Sequence, residues 1–134
     1  MSFREVVHTA DAAIEINSKT IPLLFSDAAL GMMSVLYGRE RSKAKTDRAK
    51  TISVDGCDTE TRLVSFLSEL LYLNESERLI VAQCAVTFSG DTVSADIRGH
   101  TGEPPIKEIK AVTFHNLEIK KNNDGFTATI VFDL

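Results

Sequence analysis

Asp11 and Asp133 are the residues of this 134-residue chain whose type and position best suit chemistry. Asp133 stands one place before Leu134, at the end of the alternating run Phe126-Thr127-Ala128-Thr129-Ile130-Val131-Phe132. A side-chain carboxylate beside a terminal carboxylate, on a strand anchored in the core, sets two anionic groups together and calls for a cation. Asp11 closes His8-Thr9-Ala10-Asp11 just ahead of a strand, so strand pairing can fix its position. Hard divalent cations take carboxylates and carbonyls, and calcium accepts irregular geometry at high coordination number. Converging acids here would suit calcium better than zinc. Asp58 opens a helix, where it reads first as a cap and second as a further oxygen ligand.

His8, His100 and His115 invite a zinc or general-base reading, although a histidine in a strand-rich core is more often a hydrogen-bonded structural residue. A small metal-dependent hydrolase built on His8, Asp11 and His115 is the enzymatic alternative, and it predicts nitrogen-rich coordination with an open position. The rest of the chain argues against an enzyme. There is no Gly-x-Ser-x-Gly elbow and no glycine-rich phosphate loop, and neither Cys57 nor Cys84 has a histidine nearby in sequence. With no CxxC, the cysteines are expected to be reduced, partly buried thiols.

The elements that must position these residues follow from periodicity. Val6-Val7 opens a short extended piece, and Ile14-Glu15-Ile16-Asn17 alternates as a half-buried strand does. Thr20 caps a helix with Pro22 in its first turn and Gly38 at its end. Its core stripe is Ile21, Leu24, Phe25, Ala28, Met32, Val35 and Leu36. Residues 51–55 form a short strand. A second helix follows, buried through Leu63, Phe66, Leu67, Leu70, Leu71 and Leu73, and fading at Asn74-Glu75-Ser76-Glu77. Residues 79–88 and 93–99 are strands joined by the turn signal Ser89-Gly90-Asp91. Pro104 and Pro105 mark a loop. Residues 109–115 are a strand or a bridging segment. Residues 117–121 and 126–134 form a hairpin around Asn122-Asn123-Asp124-Gly125. Helices early and hairpins late predict a single α+β domain over residues 1–134: two layers, a mostly antiparallel or mixed sheet, and both helices on one face.

Composition sets the outer limits. With 43% hydrophobic and 25% charged residues and a formal net charge of −4, direct nucleic-acid binding is not expected. The basic run at residues 39–48 reads as a solvated loop or a partner-contact patch. No apolar run is long enough for a membrane span, and Met1-Ser2-Phe3-Arg4-Glu5 is not a signal peptide, so a cytoplasmic location is expected.

Four segments carry a family resemblance. His8-Thr9-Ala10-Asp11, Leu67-Ser68-Glu69-Leu70-Leu71-Tyr72-Leu73, the stretch from Glu108 through Lys110-Ala111-Val112-Thr113-Phe114-His115 to Glu118, and the terminal Val131-Phe132-Asp133-Leu134 occur in the order seen in archease proteins. The chain resembles that family over nearly its whole length. The resemblance implies a small, non-enzymatic α+β accessory protein for an RtcB-type tRNA-splicing ligase, promoting the ligase's guanylylation and turnover. It implies a calcium ion held by Asp11, Asp133 and the C-terminal Leu134, with Asp58 in the place of a ligand used by some members. It implies a role for Lys110 in ligase activation. His8 and His115 are separate candidates for the surroundings of the metal residues. Some archeases are also described as chaperone-like modulators of a tRNA methyltransferase, which is a second alternative. Three departures stand out. Ala12-Ala13 follow the aspartate where a branched residue and glycine are common. Phe66 and Phe114 replace Trp and Tyr and are expected to keep the core. The loop at residues 99–107 is shorter than in many relatives.

Overall fold

The computed structural model describes residues 2–7, 11–38 and 46–134. His8 and most of the basic run fall outside them. The elements in chain order are β1 (Ser2–Val7), β2 (Asp11–Ser18), α1 (Ile21–Tyr37), β3 (Arg48–Asp55), α2 (Thr59–Glu77), β4 (Leu79–Ser89), β5 (Thr92–Thr101), β6 (Ala111–Thr113), β7 (Lys120–Asn122) and β8 (Gly125–Asp133). This is the expected α+β architecture, and all pairings among the described strands are antiparallel.

The strands divide into two sheets. One runs β1-β2-β8-β6, with β7 also paired to β8, and the other runs β3-β5-β4. The first sheet joins the two ends of the chain: β8 lies between β2 on one side and β6 and β7 on the other.

Helix α1 packs against β4 of the second sheet and against β2 and β1 of the first. That position explains its composition. Beyond the expected stripe, Ala29, Gly31, Met33 and Ser34 are buried as well, so the helix is enclosed on most of its circumference. The sheet approaches closely at Gly31, where a Cβ would come within 2.8 Å of Ile14 Cδ1 and 3.3 Å of the Phe3 ring. Thr20 Oγ1 accepts the Leu23 N–H at 3.2 Å, and Gly38, at φ 78°, ends the helix as predicted.

Helix α2 packs against β3, β4, β5 and β6. It runs on to Glu77 because Asn74 is a core residue: its amide donates to Tyr37 Oη at 2.8 Å and to the Leu79 carbonyl at 3.1 Å. Arg78, at φ 56°, then stops it. Phe66 is fully buried, with its ring centroid 5.6 Å from that of Phe25, as expected of a core aromatic. Phe114 departs from expectation, since 56% of it is exposed just beyond β6. The predicted strand at residues 117–121 shrinks to β7. Asn116 takes φ 53°, Leu117 N–H donates to the Phe114 carbonyl at 3.0 Å, and Leu117 and Ile119 turn towards the core. The short loop is tied down at Leu36, whose carbonyl accepts the Ile106 and Lys107 N–H groups at 2.8 and 3.2 Å.

Candidate metal centre

β8 alternates cleanly, with Ala128, Ile130 and Phe132 buried and Thr129 and Asp133 exposed. The alternation carries Asp133 to the outer face of the sheet. In the β2–β8 ladder Asp11 is the direct partner of Asp133, and in the β6–β8 ladder Ala111 is its partner on the other side. Directly opposed residues of an antiparallel pair project to the same face with Cβ atoms about 5 Å apart. The two aspartates farthest apart in sequence thus become neighbours. Like charges at about 5 Å repel by roughly 1 kcal/mol in bulk water and about 3 kcal/mol at an effective dielectric near 20.

Asp11 supplies a second observation. Its Oδ1 is buried without a hydrogen-bond partner. A buried acceptor with no donor is costly in a protein interior and suits an electron-poor guest. Both acids fit a hard cation. The Leu134 side chain is partly buried against the core, which anchors that end.

Lys110 meets the same corner through its backbone, donating its N–H to the Asp133 carbonyl at 2.7 Å, while its side chain is exposed. Thr113 Oγ1 donates to the Val131 carbonyl at 3.0 Å and accepts the His115 N–H at 3.2 Å. His115 is exposed, and its Nε2 lies 3.2 Å from Asn116 Nδ2.

Asp58 is occupied elsewhere. It is the N-cap of α2, and its Oδ1 accepts the Thr61 N–H at 2.7 Å. Hydrogen bonding from the Thr61 side chain first, and then from its N–H, holds the Asp58 carboxyl below the usual range. Among the described residues no group of three or more His, Cys, Asp or Glu side chains converges, so Asp58 does not join Asp11 and Asp133 in such a cluster. Cys57 is exposed and Cys84 half-buried, where burial pushes its thiol up to about 12.

Sequence reasoning missed two acids. Glu60 Oε2 accepts the Ile119 N–H at 3.1 Å and ties α2 to the segment before β7. Asp27 lies fully inside α1. The available signal was α1 itself: a helix that apolar is enclosed, and the polar residues within it must be buried too.

Known proteins place this geometry in context. Residues 3–134 match the model of the archease protein family. The chain is 35% identical to protein archease of Methanosarcina barkeri, covering 95% of this chain and 92% of that one. It is 32% identical to protein archease of Archaeoglobus fulgidus over the full length of both. The solution structure of protein 1598 of Methanobacterium thermoautotrophicum superposes with a TM-score of 0.83 at 25% identity, covering 98% of each chain. The crystal structure of an archease, possible chaperone, from Thermotoga maritima shares the fold, with a TM-score of 0.67 at 20% identity. A family match over nearly the whole chain, with full-length relatives above 30% identity and the same fold, means that this protein belongs to the archease family.

Proposed function

We propose that this protein is a non-enzymatic accessory factor that activates an RtcB-type tRNA-splicing ligase, promoting its guanylylation and turnover. Family membership supports the class of function. The observation that carries the site is the register match of Asp11 with Asp133, together with the unpartnered, buried Asp11 Oδ1. Asp11, Asp133 and the Leu134 carboxylate would hold a calcium ion, whose charge offsets theirs and ties β8 to β2. Lys110 and Thr113 keep β6 aligned on β8, so the corner presents an exposed lysine beside the acids. An exposed ammonium there suits an anionic group on a partner, such as the nucleotide phosphates of a ligase site.

The test is GTP-dependent guanylylation of a co-occurring RtcB-type ligase with substoichiometric amounts of this protein. Native protein should accelerate it over many turnovers, Asp133→Asn should fail, and Lys110→Ala should bind calcium normally yet stimulate poorly. A few residues appended after Leu134 should weaken calcium binding. Full stimulation and unchanged calcium affinity in the extended protein would remove the terminal carboxylate from the site.

A further inference from the structure

We infer that the cleft between α1 and the edge strand β4 is a binding site for a primary alkylammonium group, with the Asp27 carboxylate as its counter-ion. Asp27 is only 2% exposed and sits within an apolar helix. Its hydrogen-bond partner is the Ser18 hydroxyl, which donates to Oδ2. Among the described residues the ion pairs are Arg4–Glu15, Arg48–Glu77, Lys50–Glu77 and Arg62–Asp91, and none reaches Asp27. A buried carboxylate without a cation is expensive, and proteins pair such groups.

The carboxylate borders a cavity of about 450 Å³, within the range of small-ligand sites. β4 makes the room, because its register against β5 shifts between Val81 and Gln83 and leaves Ala82 at a bulge facing α1. The walls are aliphatic: Leu23, 51% exposed, together with Leu30 and Ala82.

The polar groups select the ligand. Ser18 Oγ spends its proton on Asp27, and Ser26 Oγ spends its proton on the Cys84 carbonyl at 2.8 Å. Both hydroxyls then have only lone pairs left to offer. Two hydroxyl acceptors and a carboxylate match the three N–H donors of an ammonium, and the aliphatic walls match an alkyl stem behind it. Lys19 borders the same cavity without pairing to Asp27 and disfavours a second positive end on the ligand.

The experiment is a titration of 15N-labelled protein with n-butylammonium and, separately, butan-1-ol, which has the same stem without charge. Butylammonium should shift the amides of residues 18–30 and 82–84 and saturate in the millimolar range, roughly tenfold more tightly than the alcohol. Asp27→Asn keeps the size of the side chain and an acceptor for Ser18, and should abolish that preference. Ala82→Leu, which fills the cleft without touching the acid, should abolish both titrations and guards against an Asp27 variant that fails to fold. Equal affinity for the alcohol, an undiminished preference in Asp27→Asn, or the absence of saturation would each overturn the assignment. Nα-acetyl-lysine methylamide separates the sources: binding at least as tight as butylammonium identifies the lysine of a protein partner, and weaker binding identifies a free amine.

Discussion

Two regions of this molecule hold carboxylates short of positive charge, and they do so by different means. At the β2–β8 corner, strand register opposes Asp11 to Asp133 on the outer face of a sheet. In the cleft, helix packing encloses a single Asp27 with one hydroxyl for company. The corner gathers charge and the cleft isolates it. Gathered acids attract a divalent ion, because one ion offsets several charges, whereas an isolated acid in an apolar slot is matched by a monovalent organic cation. Asp58 is the reference between them, an acid satisfied by the backbone N–H of its own helix.

The largest effect should come from breaking the corner. Asp11→Asn or Asp133→Asn should weaken calcium binding at least tenfold by isothermal titration calorimetry. The metal-free variants should melt no lower than the metal-free native protein, because a repulsion has been removed. Calcium at about 100 times its dissociation constant should stabilise the native protein by about 2.7 kcal/mol and leave the variants nearly unchanged. A metal-free variant that melts well below native would mean that the aspartates are structural rather than strained.

Asp27→Asn sharpens the contrast. It should leave calcium affinity and ligase stimulation within about twofold of native, since distant sites seldom couple. A parallel loss of both would merge the two regions into one functional unit.

Asp58 should give a smaller change, a fall of a few degrees in melting temperature for Asp58→Ala at neutral pH. The sign with pH follows from its lowered carboxyl. The unfolded chain holds that proton more tightly, so the stabilisation is complete above about pH 4 and lost as pH falls through the lower folded value. The gap between native and Asp58→Ala should therefore close in acid. The smallest effect is chemical. Iodoacetamide at mild alkaline pH should label exposed Cys57 and spare Cys84, whose thiol is raised to about 12 and lines the cleft.

These contrasts also explain what could be read from the residues alone. Alternation in residues 126–133 made β8 legible, because a period of two is a local property. Thr20, Gly38 and Asp58 declared both helix starts and one helix end through backbone demands that are equally local. The partner of β8 was not legible, because nothing in residues 11–18 encodes which strand they will meet. The opposition of the two aspartates therefore entered through the family resemblance. The enclosure of α1 escaped a reading that sought one apolar face, and Asp27 escaped with it. Asn74 looked like a helix end for the same reason: a polar side chain seems exposed until a buried carbonyl and hydroxyl claim it. Phe114 shows the reverse case, an aromatic that the family resemblance assigned to the core and that the turn after β6 turns out to solvent.

The central position of β8 has a consequence for how the chain acquires its shape. β8 follows every other strand, yet it is the partner that β2, β6 and β7 all require. More than a hundred residues separate β2 from β8, and closing a loop of that order is slow compared with forming the local β4–β5 hairpin. The β1–β2 hairpin must wait with one edge open while the three-stranded sheet and both helices assemble. The two acids should meet only at the last step, so their corner would mark a finished molecule. Pulse-labelled hydrogen exchange during refolding should find β4 and β5 amides protected before those of β2 and β8, and the opposite order would contradict this sequence of events.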